Sequence, residues 1–144
     1  MSEIIKDDAI LIRTYDYSES SLIAVFLTRK NGKIRFLARG AKREKSRFFG
    51  SLMTGNICEV VFYYNVDRGL QTLKEIECRR SIDTGRESLT RLCIFQAALE
   101  VLDRAVLERE SDEGIFLLVE EFYAALPEAP DPWPPFFAFE IGLL

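Results

Sequence analysis

Apolar side chains in the first eighty residues come in short runs between turn signals, and beyond them the spacing changes to every third or fourth position. Residues 9–15 are rich in β-formers, and residues 21–28 are a nearly continuous apolar run, as in a strand covered on both faces. Asn31-Gly32 follows, a strong hairpin signal because both residues tolerate positive φ. In residues 33–39, Ile34, Phe36 and Ala38 alternate with Lys33, Arg35 and Arg39, so this strand is predicted to bury one face and offer a mostly cationic one. Residues 40–50 form a polar loop bounded by glycines. Residues 56–64 and 70–82 complete a set of five strands, the last with a slipped alternation near Thr72 and Leu73 that predicts a bulge or sharp bend. Five antiparallel strands, one strongly bent, suit a small closed barrel of the OB type.

The second half reads as helices. Leu89, Leu92, Phe95, Leu99, Leu102 and Val106 predict an amphipathic helix over roughly 86–108. Ser111 is placed to cap a second helix, with Asp112 and Glu113 opposing its dipole and Ile115, Leu118, Val119, Phe122 and Leu126 as its buried stripe. Residues 127–135 are proline-rich, and Asp131-Pro132 is a start signal for a third helix carrying Phe136, Phe137, Phe139 and Ile141. The chain ends in the middle of this apolar pattern, so truncation, or cover from another chain, is expected there. The fold class is therefore α+β: a five-stranded OB barrel over residues 1–82 and an incomplete helical domain over residues 83–144.

Charge sharpens this picture. The net charge is −4, but residues 29–48 hold nine Lys or Arg against one acid, a local charge of +8, which leaves −12 for the rest. Residues 100–140 alone carry −9. A chain that is acidic on average yet gathers its cations in one stretch has a place for a polyanion. With no histidine and only Cys58, Cys78 and Cys93, widely spaced, a disulfide framework and a Cys/His zinc site are both disfavoured, and the thiols are expected to be buried and inert. No apolar run is long enough to span a membrane, and no secretion signal opens the chain, so a cytoplasmic location is expected.

The candidate chemistry is electrostatic. Phosphate binding needs flexible cations spaced along a nucleic-acid backbone, and Lys33, Arg35, Arg39, Lys42, Arg43, Lys45 and Arg47 supply them. Ser46 could add a phosphate hydrogen bond. Tyr17, Phe48 and Phe49 are candidates for stacking on bases. The carboxylate pairs Glu75/Glu77 and Glu120/Glu121 have no partner base or glycine-rich loop and read as solvated faces. There is no P-loop signature and no catalytic residue is assigned, so the chain is not expected to be an enzyme.

Four segments, in order, resemble the RecO family of bacterial recombination mediators: Asp16-Tyr17-Ser18-Glu19-Ser20 with Phe26-Leu27-Thr28 and Gly32-Lys33; the basic run from Arg39-Gly40 to Ser46-Arg47; Gly69-Leu70-Gln71-Thr72-Leu73-Lys74-Glu75; and Phe139-Glu140-Ile141-Gly142-Leu143-Leu144. The resemblance implies an OB barrel followed by helices. It also implies binding of single- and double-stranded DNA, strand annealing, and help in loading recombinase together with RecR onto strands coated by single-strand-binding protein, in a nucleoid-associated setting. It implies no cofactor within these residues, because the family's zinc-binding cysteines come downstream of the matching region. The later helices, which help receive the tail of single-strand-binding protein, are also absent, so that contact is expected to be reduced. Two alternatives remain open: a protein-interaction adaptor working through the apolar helices, and an RNA-binding OB protein. The residues predict that Lys42, Arg43, Lys45 and Arg47 together carry most of the DNA affinity, measured as oligonucleotide binding at several salt concentrations.

Overall fold

The computed structural model describes residues 3–48, 50–81 and 88–144. Five strands, β1 (Glu3–Asp16), β2 (Leu22–Thr28), β3 (Gly32–Ala38), β4 (Ile57–Tyr64) and β5 (Leu70–Arg80), close in the order β1-β2-β3-β5-β4. Every pairing is antiparallel except β3 with β5. That ring order makes the barrel an OB-fold. Three helices follow: α1 (Leu89–Ala105), α2 (Glu113–Ala125) and α3 (Trp133–Gly142). The chain divides into two compact units, residues 1–81 with Glu108–Ser111, and residues 82–107 with 112–144. No helix among the described residues is long and apolar enough to cross a membrane.

Inward side chains of the strands fill the barrel: Ala9, Leu11, Ala24, Phe26, Ile34, Phe36, Val60, Phe62 and Leu73 are all at or near zero exposure. Their rings interlock, Phe26 edge-on to Phe36 with centroids 5.5 Å apart and Phe36 tilted against Phe62 at 4.7 Å. Phe48 joins this cluster at 1 % exposure. The bulge predicted near Leu73 is present: Val61 pairs with Glu75 and Phe62 with Leu73, leaving Lys74 as the extra residue.

The first strand begins six residues earlier than its pattern predicts, because residues 3–8 pair with β4 from Tyr64 back to Glu59. Lys6, Asp7 and Asp8 hide this in the sequence. Asp7 is buried here because its carboxylate works structurally: it accepts from Asp8 N at 2.8 Å, Lys30 N at 3.0 Å and Asn31 Nδ2 at 2.8 Å, fixing the β2–β3 turn.

The barrel is completed from far along the chain. Residues 108–111, expected as the end of one helix and the cap of the next, form instead a short strap on β3. Glu108 bridges Lys33 in parallel, and Arg109 N donates to Lys33 O at 2.8 Å. Arg109 also donates through Nη1 to Val66 O at 2.8 Å and lies over the Tyr64 ring. Ser111 does not cap α2; its hydroxyl donates to Lys30 O at 2.7 Å, and Asp112 is the cap, accepting from Gly114 N. This strap needs Gly32, which has φ +75° and would place a Cβ 2.6 Å from Glu110 O.

In the helical unit the apolar stripes are rotated from those expected. In α1 the buried residues are Ile94, Phe95, Ala98, Leu99 and Leu102, while Leu89 and Leu92 are exposed. In α2 they are Phe116, Val119, Phe122 and Tyr123. Ile115 and Leu118, expected inside, are only partly covered. Two of the helices' buried pairs are aromatic: Phe95 with Tyr123 at 5.3 Å, edge-on, and Phe122 with Phe139 at 5.0 Å, stacked. Helix α3 starts where its prolines direct, with Asp131 Oδ1 accepting from Trp133 N. Of its apolar residues only Phe139 is buried; Phe137 and Ile141 are exposed. The ends expected at 82 and 86 lie outside the described residues.

Two substitutions test these contacts. Gly32→Ala forces a strained φ and a clash with the strap, and should cost about 2 kcal/mol in urea denaturation. Phe48→Ala leaves a cavity in the barrel and should cost about 3–5 kcal/mol. An unchanged midpoint in either variant would contradict the packing described.

Candidate nucleic-acid interface

The loop after β3 and the connection between β1 and β2 meet at one end of the barrel, because the β2–β3 register places Leu22 opposite Ala38. Beyond those residues the two segments are stitched together. Gly40 N donates to Ser21 Oγ at 3.2 Å and Lys42 N to Ser20 O at 3.0 Å. Each segment is also tightened by its own turns. Tyr17 N and Ser18 N both donate to Ser21 O, and Ser21 N donates to Ser18 Oγ at 3.2 Å. In the basic loop Arg43 N donates to Gly40 O at 3.1 Å and Ser46 N to Arg43 O at 3.0 Å. Gly40 makes the turn out of β3 with φ +71°.

The cations predicted to bind phosphate fall into two groups. Arg39, Arg43 and Lys45 are exposed, and among the described residues none of them is held in an ion pair. Arg47 is exposed too, with its guanidinium 5.0 Å from the centre of the Phe48 ring. These four project from one loop and can meet a phosphate backbone at little desolvation cost.

The others are committed elsewhere. Lys33 is partly buried and engaged within the fold. Arg35 Nε lies 2.7 Å from Glu108 Oε1, a charge contact off the line of its N–H. A hydrogen bond with the Tyr15 side chain, then the Glu108 charge, raise the Arg35 guanidinium above its ordinary value against the opposing effect of burial. Of the cationic face expected on β3, Arg35 is therefore already paired and only Arg39, at its end, stays exposed; the neighbours of Arg35 on that face, Val25 and Leu37, are buried aliphatics. Lys42 is tied to Asp16 at 3.2 Å. Ser46, expected to bond phosphate, accepts from Phe48 N at 3.0 Å as part of a loop turn.

The stacking candidates separate as clearly. Tyr17 is 57 % exposed on the surface shared with the basic loop. Phe48 is withdrawn as a stacking residue, because its ring lies inside the barrel and no base can reach it. Phe49 lies outside the described residues. Sequence reasoning missed Asp16, Ser20, Ser21 and Glu108, whose roles depend on partners between about twenty and seventy-five positions away. No local pattern carries that information.

Cys58 and Cys78 face each other across β4 and β5, and Cys93 is exposed on α1. Burial, reinforced by Cys78, pushes the Cys58 thiol up to about 12, so it stays protonated at neutral pH. Among the described residues no group of three or more His, Cys, Asp or Glu side chains could hold a metal ion. The acidic pair Glu75 and Glu77 lines an open recess together with Lys6, Arg47 and Glu59. Glu77 there pairs with Arg79, as a solvated face would.

Residues 1–82 match the family model described as Recombination protein O N terminal, and residues 86–144 match Recombination protein O C terminal. The chain is similar to proteins named DNA repair protein RecO. It is 33 % identical to that of Bacillus pumilus over 141 residues (98 % of this chain, 54 % of the relative). It is 34 % identical to that of Salinibacter ruber over 116 residues (81 % and 45 %), and 33 % identical to that of Bacillus subtilis over 127 residues (88 % and 49 %). The chain spans about half the length of these curated relatives. It belongs to the RecO family.

Proposed function

We propose that this member of the RecO family serves DNA repair by holding nucleic-acid strands on the surface formed by the basic loop and the β1–β2 connection. The observation that carries this is the set of exposed cations Arg39, Arg43 and Lys45, in no ion pair among the described residues, beside the exposed ring of Tyr17, on a chain that is otherwise acidic. The cations neutralise phosphates and release counterions, a sequence-independent grip open to single and double strands. Tyr17 offers a face to an unpaired base. Screening two anionic strands on one surface lowers their repulsion and so favours annealing. No covalent step is needed. RecR and single-strand-binding protein are the partners that family membership suggests, and assistance in loading recombinase is the corresponding role.

The helical unit gives specific support to a second, compatible activity as a protein-contact module. Leu89, Cys93, Ile94, Trp133 and Phe136 line an apolar recess of about 430 Å³, and Leu92 and Phe137 are exposed beside them in sequence. An apolar recess of this kind, with no cation in its lining and in a stretch of chain that is acidic overall, offers nothing to a phosphate and suits a protein.

Fluorescence anisotropy of a labelled single-stranded oligonucleotide over a salt series tests the main proposal. Each phosphate contact to a single strand contributes about 0.7 to the slope of log affinity against log salt. Replacing Arg39, Arg43 and Lys45 together by alanine should lower that slope by about 2. Replacing Lys33 and Arg35 should leave it nearly unchanged. A wild-type chain that does not bind at low salt, or a triple variant with the wild-type slope, would overturn the assignment. A matched RNA oligonucleotide in the same series tests whether the surface favours RNA.

A further inference from the structure

The ammonium group of Lys42 holds both neighbours of Tyr17. Its Nζ lies 3.2 Å from Asp16 Oδ2 and 3.4 Å from the carbonyl oxygen of Ser18. Its backbone N–H donates to Ser20 O at 3.0 Å, and Gly40 N donates to Ser21 Oγ at 3.2 Å. The Lys42 side chain keeps only 33 % of its exposure. One cation of the basic loop is thus bonded to residues on both sides of the exposed aromatic ring, while Arg39, Arg43 and Lys45 carry the free charge.

We propose that Lys42 is a positioning residue: it clamps Asp16 and Ser18, fixes Tyr17 beside the free cations, and thereby gives this surface a preference for unpaired nucleotides over duplex. Lys42 has this role only if the surface takes nucleic acid as proposed above. A duplex presents phosphates to Arg39, Arg43 and Lys45 but has no open base face for Tyr17. A single strand can use both, and a ring already held in place loses less freedom when a base stacks on it. The alternative role for Lys42, a phosphate contact masked by Asp16, has opposite consequences. There Asp16 competes with the ligand and its removal strengthens binding. In the clamp Asp16 supports the ligand site and its removal weakens binding.

The test uses the full chain and two labelled probes, a single-stranded oligonucleotide and the duplex of the same sequence, each over a salt series. Asp16→Asn and Lys42→Ala should each weaken single-strand binding by about three- to tenfold. Their salt slopes should match wild type, and duplex affinity should barely change. Tyr17→Ala should do the same, and Lys42→Ala combined with Tyr17→Ala should add little to either alone. Arg43→Ala, run alongside, should lower the slope by about 0.7 on the single strand. If Arg43→Ala leaves the slope unchanged, the nucleic-acid surface itself is misassigned. If Arg43→Ala behaves as stated, three results overturn the clamp: Asp16→Asn tightens binding, Lys42→Ala lowers the slope as Arg43→Ala does, or both variants leave the ratio of single-strand to duplex affinity at the wild-type value.

Discussion

The barrel closes through a seam only three residue pairs long. Arg35, Phe36 and Leu37 of β3 meet Leu70, Gln71 and Thr72 of β5, the sole parallel pairing in the ring. Short parallel pairings are weaker per residue than antiparallel ones, so the rest of that edge of β3 needs a partner. Residues 108–111 supply it: Glu108 bridges Lys33, Arg109 reaches Val66 O, and Ser111 binds Lys30 O. The turn that holds the seam from the other side, Asn65 to Arg68, is itself organised by buried Gln71, whose amide bonds Asn65 N, Asn65 O and Arg68 O. Once β3 is locked in this position, its last residue falls opposite the first of β2. The basic loop and the Tyr17 connection are then delivered to the same end of the barrel.

Closing the barrel also sorts the cations. The sequence concentrates positive charge between residues 29 and 47, but much of it is consumed within the fold by acids from other segments. Arg29 pairs with Asp8, Arg35 with Glu108, and Lys42 with Asp16. Each of these pairs is partly exposed and contributes little net stability. Their effect is to decide which charges remain free. Among the described residues of that stretch, what remains exposed and in no ion pair is Lys30 in the β2–β3 turn and a group on the basic loop, with a ring beside that group and an apolar helical unit elsewhere in the chain.

Local patterning made the strands, the hairpin at Asn31-Gly32, the bulge beside Leu73 and the start of α3 legible, because each depends on residues near in sequence. It failed where long-range contacts decide. Residues 3–8 look polar because Asp7 and Asp8 serve the turn after β2. In α1 the leucines at 89, 92, 99 and 102 suggest one stripe, but the helix also carries Ile94 and Ala98, and packing buried these with Phe95, Leu99 and Leu102 while leaving Leu89 and Leu92 exposed. Residues 108–111 carry no apolar signal of a strand, since their contacts with β3 are made by backbone and charge. Phe48, adjacent to a basic run, has the composition of a stacking residue and the environment of a core residue. Only the path of the loop separates the two.

The central claim is that nucleic acid is held where the basic loop and the β1–β2 connection meet. Amide hydrogen exchange with and without a saturating single-stranded oligonucleotide tests it most directly. The account predicts slowed exchange confined to residues 16–21 and 39–47, with the helical unit unaffected. Protection centred on α1 to α3, with both loops exchanging as in the free chain, would contradict it.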